Sequence, residues 1–367
     1  QRSPPRSLPE DKKIIMLAPA IQISPITKIR RHRELPIPGN VIVRQGQKVE
    51  VRSVIAEVIL KPEHILLDIA RGLNVSNEKA DDLIQRAAGE LVDKDDLIAG
   101  PVGILRRVIR APQSGRVVVA GEGQVLIEVD NTPFEIHAGL PGTVTDLIPN
   151  RGAVVETDGA IVQGVWGNGN AEFGLMQSKL NAPDDTFSAD HLDMSLRGTI
   201  VLGGYCADPK VFRKAAEIPL RGLILASMAS ELIPIALKKR FPIVVLEGFG
   251  RRPMNTISYN ILTTNNDRDV ALNAKPVDHY TETRPEVIIP LKTSQETVAK
   301  ALPIEDFAPR NKVRVSWAPG AGRIATIETL HREPIKFPSG VRALAAAVLF
   351  EDNQRANIPL ANLEVVV

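Results

Sequence analysis

Along residues 40–60 the chain alternates branched aliphatic and polar positions in "NVIV", "KVEV" and "VIAEVIL", with Gly39 and the turn Gln45-Gly46-Gln47 as punctuation. Alternation with glycine breaks predicts short antiparallel strands joined as hairpins. Residues 62–89 change period: Leu66, Leu67, Ile69 and Ala70, then Ala80, Leu83, Ile84 and Ala87, recur at helical spacing, with Ser76 or Asn77 as a cap. This predicts a helical insert over 62–89. "GELVDKDDLIAG", "IRAPQSGRVVVAGEGQVLIEV" and "HAGLPGTVTDLIPNRGAVVETDGAIVQGVW" then return to strand and glycine turn. Residues 35–178 therefore read as one interrupted, duplicated β unit.

The stretch 181–196 is polar and reads as a linker. Beyond it the pattern is different. "GTIVLGG", "RGLILAS" and "PIVVLEGFG" are apolar runs, separated by "DPKVFRKAAEI" and "ELIPIALKKR" and followed by "RPMNTISYNILTT". Asp208 and Pro209 suit a helix start. Strands alternating with helices predict a Rossmann-like βαβαβ domain with a parallel sheet over 197–290. "PEVIIPL" reads as a strand returning to an earlier sheet. From residue 309 to 367 alternation resumes, predicting a small β barrel. The expected fold class is multidomain α/β plus β.

Composition changes this picture little. The 367 residues are 44% hydrophobic, 24% charged and only 4% aromatic, so the cores are aliphatic. The net charge of +2 gives no general attraction to nucleic acid or membrane. Residues 1–34, however, hold eight basic and three acidic side chains, which predicts a basic, Pro-rich arm ending in "RRHR". Arg30, Arg31 and Arg33 are its candidate partner or phosphate contacts. Cys206 is the single cysteine, which excludes an internal disulfide. No apolar run reaches the roughly 18 residues of a membrane span. A cytoplasmic location is expected; because the sequence starts at Gln1, secretion stays open.

Two resemblances follow from these stretches. "PGNVIVRQGQKVEVRSVIAEV", "GELVDKDDLIA", "IRAPQSGRVV" and "AGLPGTVTDLIPNRGAVVETDGAIV" resemble the barrel-sandwich hybrid of biotinyl and lipoyl domains. That family carries its cofactor on a hairpin-tip lysine. The matching place after "DGAIVQG" reads "VWGNGNAEFG", without lysine, and Lys94 lies in a different turn, so no biotin or lipoate attachment is expected. "NKVRVSWAPGAGRIATIETL" with "AAAVLFEDNQRANIPLANLEVV" resembles a KOW-type SH3-like barrel, a family of RNA or protein contacts. Lys312, Arg314, Arg323 and Trp317 are the candidate contacts the resemblance implies. As a whole the chain resembles uncharacterised bacterial multidomain proteins.

Candidate chemistry is sparse. In an open α/β sheet, ligands meet the loops at the strand ends. Here those loops hold Gly203, Gly204, Ser227, Glu247, Gly248, Gly250, Arg251 and Arg252, a weak anion-binding set without a full phosphate-loop motif. The glycines also serve tight turns alone. Cys206 reads as a small buried hydrophobe rather than a nucleophile. The six histidines lack paired ligand spacing, so no metal site is expected. The carboxylate pairs Asp81-Asp82, Asp95-Asp96 and Asp184-Asp185 read as turn or surface residues. The leading expectation is a non-catalytic scaffold that binds protein partners or copies of itself. Its alternatives are a nucleic-acid-associated factor and a ligand-binding or enzymatic α/β domain.

Overall fold

A computed structural model describes residues 18–60, 63–103, 106–129, 133–278, 283–291, 306–317 and 320–367. The chain is β-rich, at 46% strand and 13% helix. Its frame is a twelve-stranded sheet whose central strand, Gly152–Gln163, is continuous through Asp158 and Gly159. One flank of that strand pairs with Gly142–Ile148 and then with Glu286–Pro290; the other pairs with Ile23–Glu34. "PEVIIPL" thus returns to the earlier sheet.

The expected basic arm differs accordingly. Residues 1–17 lie outside the described residues, but Ile23–Glu34 is a twelve-residue strand. Its alternation is that of a strand: Thr27 and Ile29 are buried on the face shared by Arg31 and Arg33. Lys28, Arg30, His32 and Glu34 take the opposite face. There Lys28 reaches Glu156 at 3.1 Å, and Arg30 reaches Asp146 at 2.5 Å and Glu156 at 3.5 Å. A basic run opposite carboxylates in a neighbouring strand satisfies its charge within the sheet. Arg30 of "RRHR" thus has carboxylate partners remote in sequence.

Two smaller β units flank this frame. Asn40–Val41, Val54–Val58 and Phe134–His137 make a three-stranded sheet, whose Ile55 packs with Ile29, Val155 and Ile161 of the large sheet. Between them, His64–Asp68, Gln124–Val129, Gly115–Gly121 and Leu91–Val92 form a four-stranded sheet over a separate core of Ile69, Leu73, Val117, Val125 and Ile127. The helical insert is smaller than its spacing predicts. Leu66 and Leu67 belong to a strand, and only Ile69–Leu73 and Asn77–Asp81 are helical. Asp68 caps the first by accepting from the Arg71 N–H at 2.9 Å. Five-residue helices gain little alone, so strand pairing decides the flanking residues.

Beyond Ala171–Ser178 the same sheet turns parallel. Met176–Ser178, Ile200–Cys206, Gly222–Met228 and Ile243–Val245 align in that order. Helices Lys210–Glu217 and Ile233–Ala236 connect them, and Thr256–Thr264 follows. These strands are buried on both faces, which explains their unbroken apolar runs. The expected boundary at 181–196 is absent as a linker: Phe187, Leu192 and Leu196 are buried in the core beside Val201 and Phe212. Three apolar residues among many polar ones leave little trace in a composition scan.

The C-terminal strands Lys312–Val315, Ile324–Leu330, Ala345–Phe350, Arg355–Pro359 and Leu363–Val366 form a separate six-stranded sheet with Ala20–Ile21, which adds parallel to Leu363–Val366. The two ends of the described chain are therefore tied together. No described helix is long and apolar enough to cross a membrane.

Candidate functional site

The loop after Ile243–Val245 was expected to offer free backbone N–H groups to an anion. In the structure several of its groups bond within the protein. Gly248 and Gly250 have φ of +105° and +84°, conformations that favour glycine in a tight turn. The Gly250 N–H donates to the Met228 carbonyl at 3.0 Å, and the Arg252 N–H to Ser227 Oγ at 3.1 Å. Ser227 Oγ donates in turn to the Arg252 carbonyl at 2.8 Å. The helix N-terminus lies farther on, where Asn255 Oδ1 accepts from the Ser258 N–H. Gly203 and Gly204 are within the strand, not in its loop. A Cβ on Gly203 would meet the Phe187 ring at 2.6–2.9 Å, so glycine here makes room for an aromatic ring. Arg251 is exposed.

What this loop builds is a buried ionic chain into the C-terminal unit. The Glu247 side chain is fully buried and that of Arg314 is 3% exposed. Glu247 Oε1 accepts from the Asn255 N–H at 3.0 Å and from its Nδ2 at 2.6 Å. Glu247 Oε2 lies 3.5 Å from Arg314, which also donates to the Leu246 carbonyl at 3.0 Å. Arg314 reaches Glu364 through Nε at 3.1 Å and Nη2 at 2.5 Å; Arg284 meets the other Glu364 oxygen at 3.2 Å. Burial pushes the Glu247 carboxyl above its ordinary range, against the pull of Arg314 and Asn255. Glu364 feels burial too, but Arg314 and Arg284 together hold it below that range. Arg252 adds a bond to the Ser316 carbonyl at 3.1 Å and faces the Trp317 ring at 5.9 Å.

The structure thus joins the expected ligand set, Ser227, Glu247 and Arg252, to the expected nucleic-acid set, Arg314 and Trp317. Arg314 is therefore no surface contact; a buried strand position with two carboxylates fixes it. Arg323 pairs with Asp352 at 2.6 Å and lies 3.9 Å over the Phe350 ring. Lys312 and Trp317 are exposed. No signal in one sequence pairs residues 247, 314 and 364, which is why the network was missed.

Other candidates are structural. Cys206 is fully buried, and burial pushes its thiol up to about 12. Asp81 accepts from the N–H groups of Glu122 and Gly123, and Asp185 from those of Asn181 and Ala182. Asp96 pairs with Arg86 at 3.2 Å. No His/Cys/Asp/Glu group suited to a metal occurs among the described residues; His279, of the "DHY" stretch, lies outside them.

Two surface features remain. A groove of about 1080 Å³ is lined by Arg31, Arg33, Lys275, Arg284 and Glu286 under the strand Phe134–His137. The second feature is the outer face of the four-stranded sheet, where Leu66, Leu126 and Val119 stand opposite one another across three strands. Leu66 and Val119 are 57% and 54% exposed, and Leu91 on the same face is 66% exposed. The adjoining row is His64, Glu128 and Arg116. No protein-family profile matches the chain, and no curated protein or solved structure matches it either.

Proposed function

We propose that this protein is a non-catalytic assembly module that pairs with a second copy of itself through the outer face of the sheet Leu91–Val92, Gly115–Gly121, Gln124–Val129 and His64–Asp68. The observation that carries this reading is the solvent-facing row Leu66–Leu126–Val119, with exposed Leu91 on the same face at the end of the adjoining row, opposite Arg116. Contiguous exposed apolar surface of this kind marks interaction sites. The neighbouring row carries both signs of charge, Glu128 beside Arg116, as a self-complementary two-fold interface needs. A scaffold role is also favoured by the strand-end loop at Glu247, where Leu246, Glu247 and Arg252 bond to Arg314 and Ser316 of the C-terminal unit.

On this reading the two β units between 35 and 178 are barrel-sandwich lobes used for contact and not for cofactor carriage. The parallel strands form a Rossmann-like core, and the C-terminal unit is an SH3-like barrel locked to it. The test is the native mass by light scattering at low and high salt, with the 260/280 nm absorbance ratio alongside. The reading expects a salt-resistant oligomer free of nucleic acid, because apolar contacts are not screened. A monomer that carries nucleic acid at low salt and sheds it at high salt would replace it with the nucleic-acid alternative.

A further inference from the structure

The groove beneath Phe134–His137 contains a cation, Arg33, that makes no ion pair among the described residues. Arg31 and Glu286 form a two-point pair, Nε to Oε1 at 2.8 Å and Nη2 to Oε2 at 2.5 Å, and Glu286 is 4% exposed. Both oxygens of that carboxylate are therefore taken. Arg33, two residues along the same strand face, has no carboxylate oxygen within 4.0 Å among the described residues. Its Nε donates to the Ala138 carbonyl at 2.7 Å, while neither Nη group donates to a protein atom there. Desolvation, with Arg31 nearby, works against its charge, and Glu286 is the opposing attraction. Five-donor guanidinium forks are ordinarily satisfied by paired oxygens.

We propose that this groove binds a small organic anion, with its oxyanion group on the free fork of Arg33 and its apolar part along Ile136 and Phe134. Lys275 lines the same cavity and adds positive charge, whereas Arg284 is committed to Glu364. A volume of about 1080 Å³ suits a small molecule. The walls also carry Glu34 and Glu135, paired with His32 at 3.5 Å and His137 at 3.4 Å. Carboxylates at those places repel a polyanion such as nucleic acid, but admit a ligand with one charged end. The inference is independent of the assembly reading, since the groove and the outer sheet face share no residue.

The test is calorimetric titration of the full chain, at constant ionic strength in chloride, with four probes: inorganic phosphate, phenyl phosphate, acetate and benzoate. The phosphate and carboxylate arms identify the oxyanion. Saturable binding is expected in one arm, with the ring-bearing probe at least about tenfold tighter than the bare ion, equivalent to about 1.4 kcal/mol. Arg33→Gln is expected to weaken it at least about tenfold. Should that variant fail to fold, phenylglyoxal labelling of the unaltered protein, read residue by residue by peptide mapping, decides: labelling of Arg33 is slowed by the bound probe while that of exposed Arg251 is unchanged. No saturable binding in either arm, equal binding of bare and ring-bearing ions, unchanged binding by Arg33→Gln, or absence of protection would each overturn the proposal.

Discussion

Replacing Arg314 by Met tests whether the buried ionic chain holds the C-terminal unit to the parallel strands. The substitution keeps the side chain's length and removes its charge. Glu247, fully buried, would keep only Asn255, and Glu364 would keep only Arg284. The Leu246 carbonyl would lose its 3.0 Å donor as well. Removing one member of a buried ion pair costs about 3–5 kcal/mol, because a charge is left uncompensated. An unsatisfied carbonyl adds about 1–3 kcal/mol where water does not reach it. The expected loss is therefore at least about 3 kcal/mol. The assay is equilibrium urea unfolding followed by far-UV circular dichroism and by tryptophan fluorescence. Trp166 reports on the parallel-strand core beside Phe249, and Trp317 on the C-terminal unit beside Arg252. In the parent the two signals are expected to coincide; in the variant the midpoint falls and the signals separate. Adding Glu247→Gln should recover part of the loss, since it removes the stranded charge. A loss below about 1 kcal/mol with coincident transitions would refute the network's role.

Three further outcomes follow from the same contacts. Gly203→Ala places a methyl group against the Phe187 ring at under 3.0 Å and should cost about 1–3 kcal/mol in urea unfolding, whereas no change would mean that the ring moves freely. Glu364 is held below its ordinary 4.5, so the stability it contributes is fully present above that pH and is lost as pH falls through its lower folded value. Urea midpoints between pH 6 and pH 3 should fall less steeply in Glu364→Gln than in the parent; equal slopes would contradict this. Cys206, with its thiol pushed up to about 12 by burial, should resist thiol reagents at pH 8 until the protein is unfolded, and rapid native labelling would refute its burial.

The legible parts of the fold were those that local pattern dictates. The apolar runs at 200–245 and the helical stretch within "RPMNTISYNILTT" produced the elements expected, whereas the strands on either side of Gln45-Gly46-Gln47 pair elsewhere and not with each other. What was not legible depends on partners remote in sequence. Arg31 is fixed by Glu286 and Arg314 by Glu364, and nothing local distinguishes such an arginine from a solvated one. The same holds for the domain boundaries. Ala171–Ser178 pairs on one side with 200–202 and on the other with 269–273, so one sheet crosses the expected linker. Gly203 and Gly204 suggested a ligand loop because sequence cannot tell a glycine that makes room for Phe187 from one that makes room for phosphate. The candidate site was therefore read as a list of residue types, and its geometry came only from packing.

The most direct test of the assembly reading is the native mass of the parent compared with Leu66→Asp plus Val119→Asp, measured by light scattering at the same concentration. Both positions are more than half exposed, so the charges cost the folded monomer little but would be buried in the interface. The account predicts at least twice the chain mass for the parent and the single-chain mass for the variant, with unchanged circular dichroism. A parent that is already monomeric, or a variant that stays assembled, would contradict it.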